Sequence, residues 1–344
     1  MGTGGPAAQC LHDALVLPRA REVLARYGDA RALTDRGRVV GIDLAPLTTE
    51  PALLWEAATA LWTVARDTVG GLRWDDGVER ALMSAIAATT RTRHGLGDLA
   101  AACSGGAGGR VGVAELTARL LQDARTEPTV PRVVLTVAHP QPCVPASSPA
   151  GMPLRIPRGV RPAARLEVES PHADLAYVRL CRAVPAVSTV RELAAVLIAN
   201  QAWFGPYHSV VDGLIRFQEG VSYLWDCVLD LVRGEFAMLA APDPADVDHV
   251  ISVVRAAHAA PGPLSPERVG TARRVVRTRI LRRLGTAEHV LPLQSEAQRA
   301  GLPPSFVASL LAALREVTDV EAALALPAVA AEPVSVTVIV PAVR

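Results

Sequence analysis

The hydrophobic pattern along the chain falls into three textures. Up to about residue 128, aliphatic side chains recur at helical spacing. "DALVLPRAREVLARYG" stops at Gly28, "EPALLWEAATALWTVARDTVGG" places Trp55 and Trp62 on one face and stops at Gly70 and Gly71, and "DGVERALMSAIAATTRTRHG" stops at Gly95. Glycine leaves the helical backbone at little steric cost, so each stop is a helix end. The glycine-rich stretch Cys103–Gly112 reads as a loop before another amphipathic helix, "VAELTARLLQDA". The pattern then shortens and becomes β-branched. "PRVVLTVAHP" (Pro131–Pro140), "MPLRIP", "ARLEVES" and "LAYVRLC" predict four short strands, with a proline-rich loop over 139–152. After Pro185, helical spacing returns over 190–202, 208–218, 221–239, 244–259, 265–284 and 304–325. The ending "EPVSVTVIVPAVR" is again a strand, and because a lone strand is not stable by itself, it should re-enter the earlier sheet.

These textures predict an α+β fold with three parts. Residues 129–187 plus 333–344 form a small β-barrel or sandwich trunk closed by the C-terminal strand, 188–332 form an inserted α-helical arm, and 1–128 form a mostly helical N-terminal region. At the junction, Pro185 has no N–H for a strand ladder, and Thr189 with Glu192 has the spacing of a capping box.

Composition narrows the chemistry. The 344 residues suffice for a sizeable core, and with 50% hydrophobic but only 4% aromatic residues, Ala, Val and Leu must fill it. A formal charge of +1 argues against a surface built throughout for nucleic acid or an anionic membrane. The sequence contains no lysine, so all 35 basic residues are arginine. G+C bias in the coding sequence explains this, and arginine also suits interface ion pairs. A phosphate-binding GxxxxGK[ST] loop, a Schiff-base lysine and a kinase lysine are thereby excluded. Cys10, Cys103, Cys143, Cys181 and Cys227 are scattered, with no CxxC pair, which fits neither a zinc cluster nor a disulfide framework and suggests a reducing compartment. No basic segment followed by an apolar run opens the chain, so no signal peptide is expected, and no uncharged apolar run has the ~18 residues of a membrane span.

No catalytic, cofactor-binding or metal-ligating residue is assigned. His208, Ser209 and Asp212 lie close together but on helical spacing, without the glycine-flanked elbow of a nucleophile. Cys10 and His12 lack further ligands, no HExxH follows, and the acids at 75–76 and 243–248 read as helix starts. Two clusters are candidate interaction surfaces. The stretch Glu267–Gly285 carries Arg268, Arg273, Arg274, Arg277, Arg279, Arg282 and Arg283 among aliphatics, fit for phosphate, anionic lipid or the rim of a protein interface. It lacks the aromatics of a single-strand nucleic-acid platform, which favours a partner or solvent. Trp203, Phe204, Tyr207, Phe217, Tyr223 and Trp225 crowd between Asn200 and Asp226 in a chain with only 5 Trp, 4 Tyr and 4 Phe. They are either the core of a helical subdomain or a hot-spot surface. The interface candidates are therefore these six aromatics with Arg273, Arg277 and Arg282.

The stretch Gly151–Phe204, with "GMPLRIP", "ARLEVES", "LAYVRLC", "AVPAVS" and "VRELAAVLIA" in order, resembles the small, two-copy triplex capsid protein family of herpesviruses. The closing helix "FVASLLAALREVTDVEAALAL" and strand "VSVTVIV" are similar too, so the resemblance spans about 111–344. It implies a structural protein without enzymatic activity or cofactor. Its partners would be a second copy of itself, a larger triplex protein and the major capsid protein, assembled in the host nucleus and carried in the virion. No small-molecule substrate, membrane or direct nucleic-acid contact is implied. Competing readings are an enzyme of a G+C-rich bacterium built around His208, Asp212 and Glu219, a binding protein of such an organism, or a nucleic-acid module using the arginines of 267–285.

Overall fold

The computed structural model describes residues 6–35, 38–46, 74–92, 109–126, 154, 156, 165–285 and 287–342, with parts of 56–68 and 96–100. The strand expected at 131–140, most of "MPLRIP", Trp55, Trp62, Cys103 and Cys143 lie outside the described residues. The chain forms two compact units, one of residues 1–103 and 111–135, the other of 104–110 and 136–344.

In the first unit, α1 (Pro6–Leu24) leads into an antiparallel hairpin of β1 (Gly28–Asp35) and β2 (Arg38–Pro46), followed by α2 (Asp76–Thr90). The side chain of Asp75 caps α2 by accepting from the N–H groups of Gly77 and Val78. The hairpin is an element that the mostly helical reading of 1–128 did not anticipate. The β1 sequence GDARALTD has no β-branched run, and Gly41 interrupts the Val39, Val40 and Ile42 series of β2, with a register shift between Leu33 and Thr34. Strand β3 (Gly109–Gly112) then precedes α3 (Val113–Thr126). Val16 and Ala20 on α1, Leu82 and Ile86 on α2, and Leu116 and Leu120 on α3 are all buried.

The second unit is built on β4 (Arg165–Ser170), β5 (Tyr177–Ala183), β6 (Trp225–Asp230), β7 (Glu235–Ala240) and β8 (Ser335–Pro341). Together with β3 they form a six-stranded mixed sheet in the order β3-β4-β8-β5-β7-β6. Strand β8 runs parallel to β4 and antiparallel to β5, with Leu180 opposite Val336 on one side and Met238 on the other. The sheet is open. The C-terminal strand lies in its centre rather than closing a barrel, which overturns the barrel-trunk fold class. The physical reason is the parallel β4–β8 pair, which a tight turn cannot make and which here forms across three intervening strands and the helices.

One face of the sheet carries α4 (Val190–Phe204), whose residues are buried nearly all round, as for a helix inside a core. Thr189 caps it, its hydroxyl accepting from the Glu192 N–H, while the Glu192 carboxylate reaches back to the N–H and hydroxyl of Ser188. Helices α5 (Val247–Ala259), α6 (Pro266–Leu284), α7 (Ala287–Arg299), α8 (Phe306–Glu316) and α9 (Asp319–Ala331) complete this layer, and α6, α8 and α9 pack directly on α4. A full capping box of Thr318 and Glu321 starts α9, and Arg191 anchors to Glu321 at 2.8 Å. These bonds from Arg191 and Thr318 hold the Glu321 carboxyl down at about 2.

The stretch 221–239, read as helix from its aliphatic spacing, is the β6–β7 hairpin. Turn chemistry decides it: Gly234 takes a positive φ of 62°, and the Asp230 carboxylate accepts from the Arg233 N–H at 2.9 Å.

Candidate functional site

Among the described residues, exposed aromatic side chains on firmly held backbone recur within one stretch of the chain. It is the connection from the end of α4 to the start of β6. Tyr207, Phe217 and Tyr223 are 59%, 77% and 84% exposed, far above what burial-driven packing leaves for such residues.

The backbone beneath each of them is fixed. Tyr207 and His208 both have φ near 66°, a left-handed conformation that side-chain-bearing residues adopt only at a cost. The Gln201 amide holds this turn by donating to the Pro206 carbonyl. A Cβ at Gly205 would meet the Gln201 amide, so a side chain there would make that amide shift. The buried Asp212 carboxylate accepts from the His208 N–H at 3.2 Å and faces Arg216 at 3.4 Å. Ser209 Oγ accepts from the Asp212 N–H at 3.0 Å and caps the short helical turn Val210–Asp212.

Next comes a π-helical turn, Gly213–Gln218, closed by the Glu219 N–H on Leu214 O and the Val221 N–H on Ile215 O. Such turns widen a helix by one residue and are frequent at functional sites. Here the turn buries Ile215 and directs Phe217 outward, with Arg216 stacked near its ring at 5.7 Å. Ser222 is buried and pinned on both sides: its hydroxyl donates to Leu224 O and accepts from the Ala241 N–H. Tyr223 therefore stands on a backbone anchored by Ser222 before it and buried Trp225 after it.

The interior beneath this surface is aromatic and cationic. Trp203 donates from Nε1 to Ala257 O, and Trp225 to Phe204 O, both at 2.9 Å. The Arg182 guanidinium lies 3.8 Å from the Phe204 ring centre, with its Nη2 on Asn200 Oδ1. Full burial pushes Arg182 down to about 10, and burial together with Arg182 pushes His258 down to about 4, so that imidazole is neutral at physiological pH.

The six aromatic candidates thus divide. Trp203, Phe204 and Trp225 are core, while Tyr207, Phe217 and Tyr223 are surface. The arginine candidates all lie on α6. Arg273 is tied to Asp319 and Val317 O, Arg277 is partly buried, and Arg282 is exposed on α6. Two further arginines of the helix, Arg279 and Arg283, pair with Asp226 and Glu296, so much of its basic charge is spent within the fold. His208, Ser209 and Asp212 do come together, but the His208–Asp212 contact is made by backbone N–H, so they hold a turn and activate no nucleophile. Glu219 pairs with His249 at 3.0 Å. Sequence reading missed Asp212, Gln201 and Ser222 as the supports of the surface; a Gly-Pro pair followed by Ser and Asp was the available signal.

No protein family model matches this sequence, and no curated protein matches it. Solved structures do. A chain of complex III2 from Candida albicans aligns over 97% of this protein and 88% of its own length, at 12% identity and a TM-score of 0.57. A peptidase M16 inactive domain from Pseudomonas fluorescens aligns over 97% and 86%, at 12% identity and a TM-score of 0.51. A conserved protein from Enterococcus faecalis aligns over 98% and 90%, with the same identity and score. The fold is that of the M16 peptidase-like proteins. Against the proteases of Helicobacter pylori and Alicyclobacillus acidocaldarius the protein spans 52% and 46% of their length.

This fold overturns the resemblance to the herpesvirus triplex family. With it fall the capsid function, the triplex and major capsid partners, and the virion and nuclear localisation. The shared features were element order and hydrophobic texture, which many strand–helix–strand arrangements produce.

The chemistry of a zinc peptidase does not fit this chain. Two histidines four apart on a helix are what an HExxH or HxxEH site needs, and no two of the 8 histidines here have that spacing. Among the described residues, no group of three or more His, Cys, Asp or Glu side chains is placed to hold a metal ion. No helix among them is long and apolar enough to cross a membrane.

Proposed function

We propose that this protein binds unfolded or extended polypeptide on the Tyr207–Phe217–Tyr223 surface and does not hydrolyse it with a metal of its own. The observation that carries this reading is the trio of exposed aromatic rings held on rigid, partly strained backbone. Preorganised aromatics bury large area at little entropic cost, which is how hot spots for polypeptide ligands work. The Pseudomonas fluorescens protein of this fold is described as an inactive peptidase domain, which supports a role without hydrolysis.

The test uses reduced, carboxymethylated α-lactalbumin as an unfolded polypeptide, with native α-lactalbumin as control. Saturable micromolar binding of the unfolded form alone is expected, and mass spectrometry after prolonged incubation with added zinc should find it intact. Absence of binding at ~100 μM, a range in which specific contacts remain measurable, would overturn the reading, as would zinc-dependent cleavage.

A further inference from the structure

Strand β5 buries two arginines, Arg179 and Arg182, on opposite faces of the sheet, because side chains alternate along a strand. Arg179 meets Glu235 and is neutralised by it. Arg182 is 1% exposed and enters the apolar core beside α4, the face that Leu180 also joins. Its guanidinium lies against the rings of Phe204 and Phe236, 3.8 and 5.5 Å from their centres. Nη2 donates to Asn200 Oδ1, while Nε and Nη1 are buried without a hydrogen-bond partner among the described residues. The Glu332 carboxylate acts on this arginine through its field and makes no bond to it.

A second orphaned group lies on the same ring. His258 of α5 packs on Phe204 with ring centres 5.6 Å apart, and its Nε2 is also buried without a partner. Arg182 contributes to keeping this imidazole neutral, so the two groups lie within electrostatic reach of one another. A neutral imidazole still carries one N–H to donate. The His258 residue as a whole is only half-buried, which leaves its side of the cluster close to solvent.

A buried guanidinium is strongly unfavourable unless opposite charge and hydrogen bonds offset it. The protein supplies little of either here. Asn200 offers a neutral oxygen, and the Cys227 thiol, 3.3 Å from Asn200 Nδ2, is pushed up by burial and stays protonated. The Phe204 face contributes a cation–π contact but accepts no conventional hydrogen bond.

We propose that Arg182 and His258 form an internal site for a small monovalent anion of the halide type, held by the unpartnered guanidinium N–H groups and the imidazole N–H. A halide fits because it cancels the charge and accepts hydrogen bonds from any direction. Water would accept the same bonds but leave the charge and bring two hydrogens of its own among apolar rings. A carboxylate or phosphate would bring further oxygens that Phe204 and Phe236 cannot satisfy. The site is independent of the polypeptide-binding reading.

The experiment is urea unfolding of wild type in sodium gluconate and in sodium chloride at one fixed ionic strength, which holds general screening constant. With chloride at about ten times its dissociation constant, the unfolded fraction at a given urea concentration should fall about tenfold relative to gluconate. Arg182→Met, which keeps an apolar stem and removes the charge, should give equal midpoints in the two salts. Arg282→Met, an exposed arginine of α6, should keep the wild-type shift. A second measurement needs no variant: crystals of the wild-type protein grown in sodium bromide should show an anomalous peak within hydrogen-bond reach of the Arg182 guanidinium and His258 Nε2. Equal wild-type midpoints in both salts, or bromide peaks confined to the surface, overturn the site and leave these donors to water. A chloride shift that persists in Arg182→Met places the anion elsewhere and overturns the assignment.

Discussion

The double variant Phe217→Ala/Tyr223→Ala should bind unfolded polypeptide at least about a hundredfold more weakly than wild type, since hot-spot aromatics contribute ~2 kcal/mol or more each. Its melting temperature should move by no more than about 2 °C, because exposed side chains away from caps and cores change stability by roughly 0.5 kcal/mol at most. The two rings are 77% and 84% exposed, so removing them opens no cavity. Fluorescence anisotropy with labelled carboxymethylated α-lactalbumin and a parallel thermal melt separate the two effects. Equal affinity in the variant and wild type would remove these rings from the site.

Arg179→Ala is expected to cost about 3–5 kcal/mol of stability, the range found when one partner of a buried pair is removed. Arg179 and Glu235 are 4% and 1% exposed, with Nη2 on Oε1 at 2.9 Å and Nε 3.0 Å from Cys181 Sγ. Burial alone would lower the arginine's pKa, but Cys181 and Glu235 more than offset it, so the guanidinium stays charged. Without it, the Arg233 guanidinium, 3.8 Å from Glu235, is a weaker partner than Arg179 at 2.9 Å. Replacing both members, Arg179→Met with Glu235→Leu, should return stability to within about 1 kcal/mol of wild type, because apolar pairs of similar volume substitute well for buried ions. Urea midpoints at constant slope report both numbers. A single variant as stable as wild type would mean the pair is not buried in this way.

How far the sequence revealed the fold depended on what each segment displayed. Helix α4 was legible from its long aliphatic run behind the Thr189 cap, and strand β8 from its alternating valines. The β6–β7 hairpin was not. Leu224, Val228 and Leu231 fall at helical spacing, and only the turn at Asp230–Gly234 shows that the chain reverses. The barrel was a misjudgement of a different kind. Where a terminal strand inserts depends on long-range pairing, and nothing local distinguishes the centre of an open sheet from the seam of a closed one. The candidate site was half visible. The aromatic cluster stood out in composition, but its division into buried Trp203, Phe204 and Trp225 and exposed Tyr207, Phe217 and Tyr223 arises from a π-turn and two left-handed residues. Asp212 and Ser209, read from the sequence as polar positions on a helix, hydrogen-bond to backbone N–H groups of the α4–β6 connection.

The measurement closest to the central claim is amide hydrogen exchange of the whole protein with and without carboxymethylated α-lactalbumin at saturation. The polypeptide-binding account predicts that new protection concentrates in residues 205–224, the connection that presents Tyr207, Phe217 and Tyr223. Protection confined to another surface, or no change at all under conditions where the ligand is bound, would contradict it.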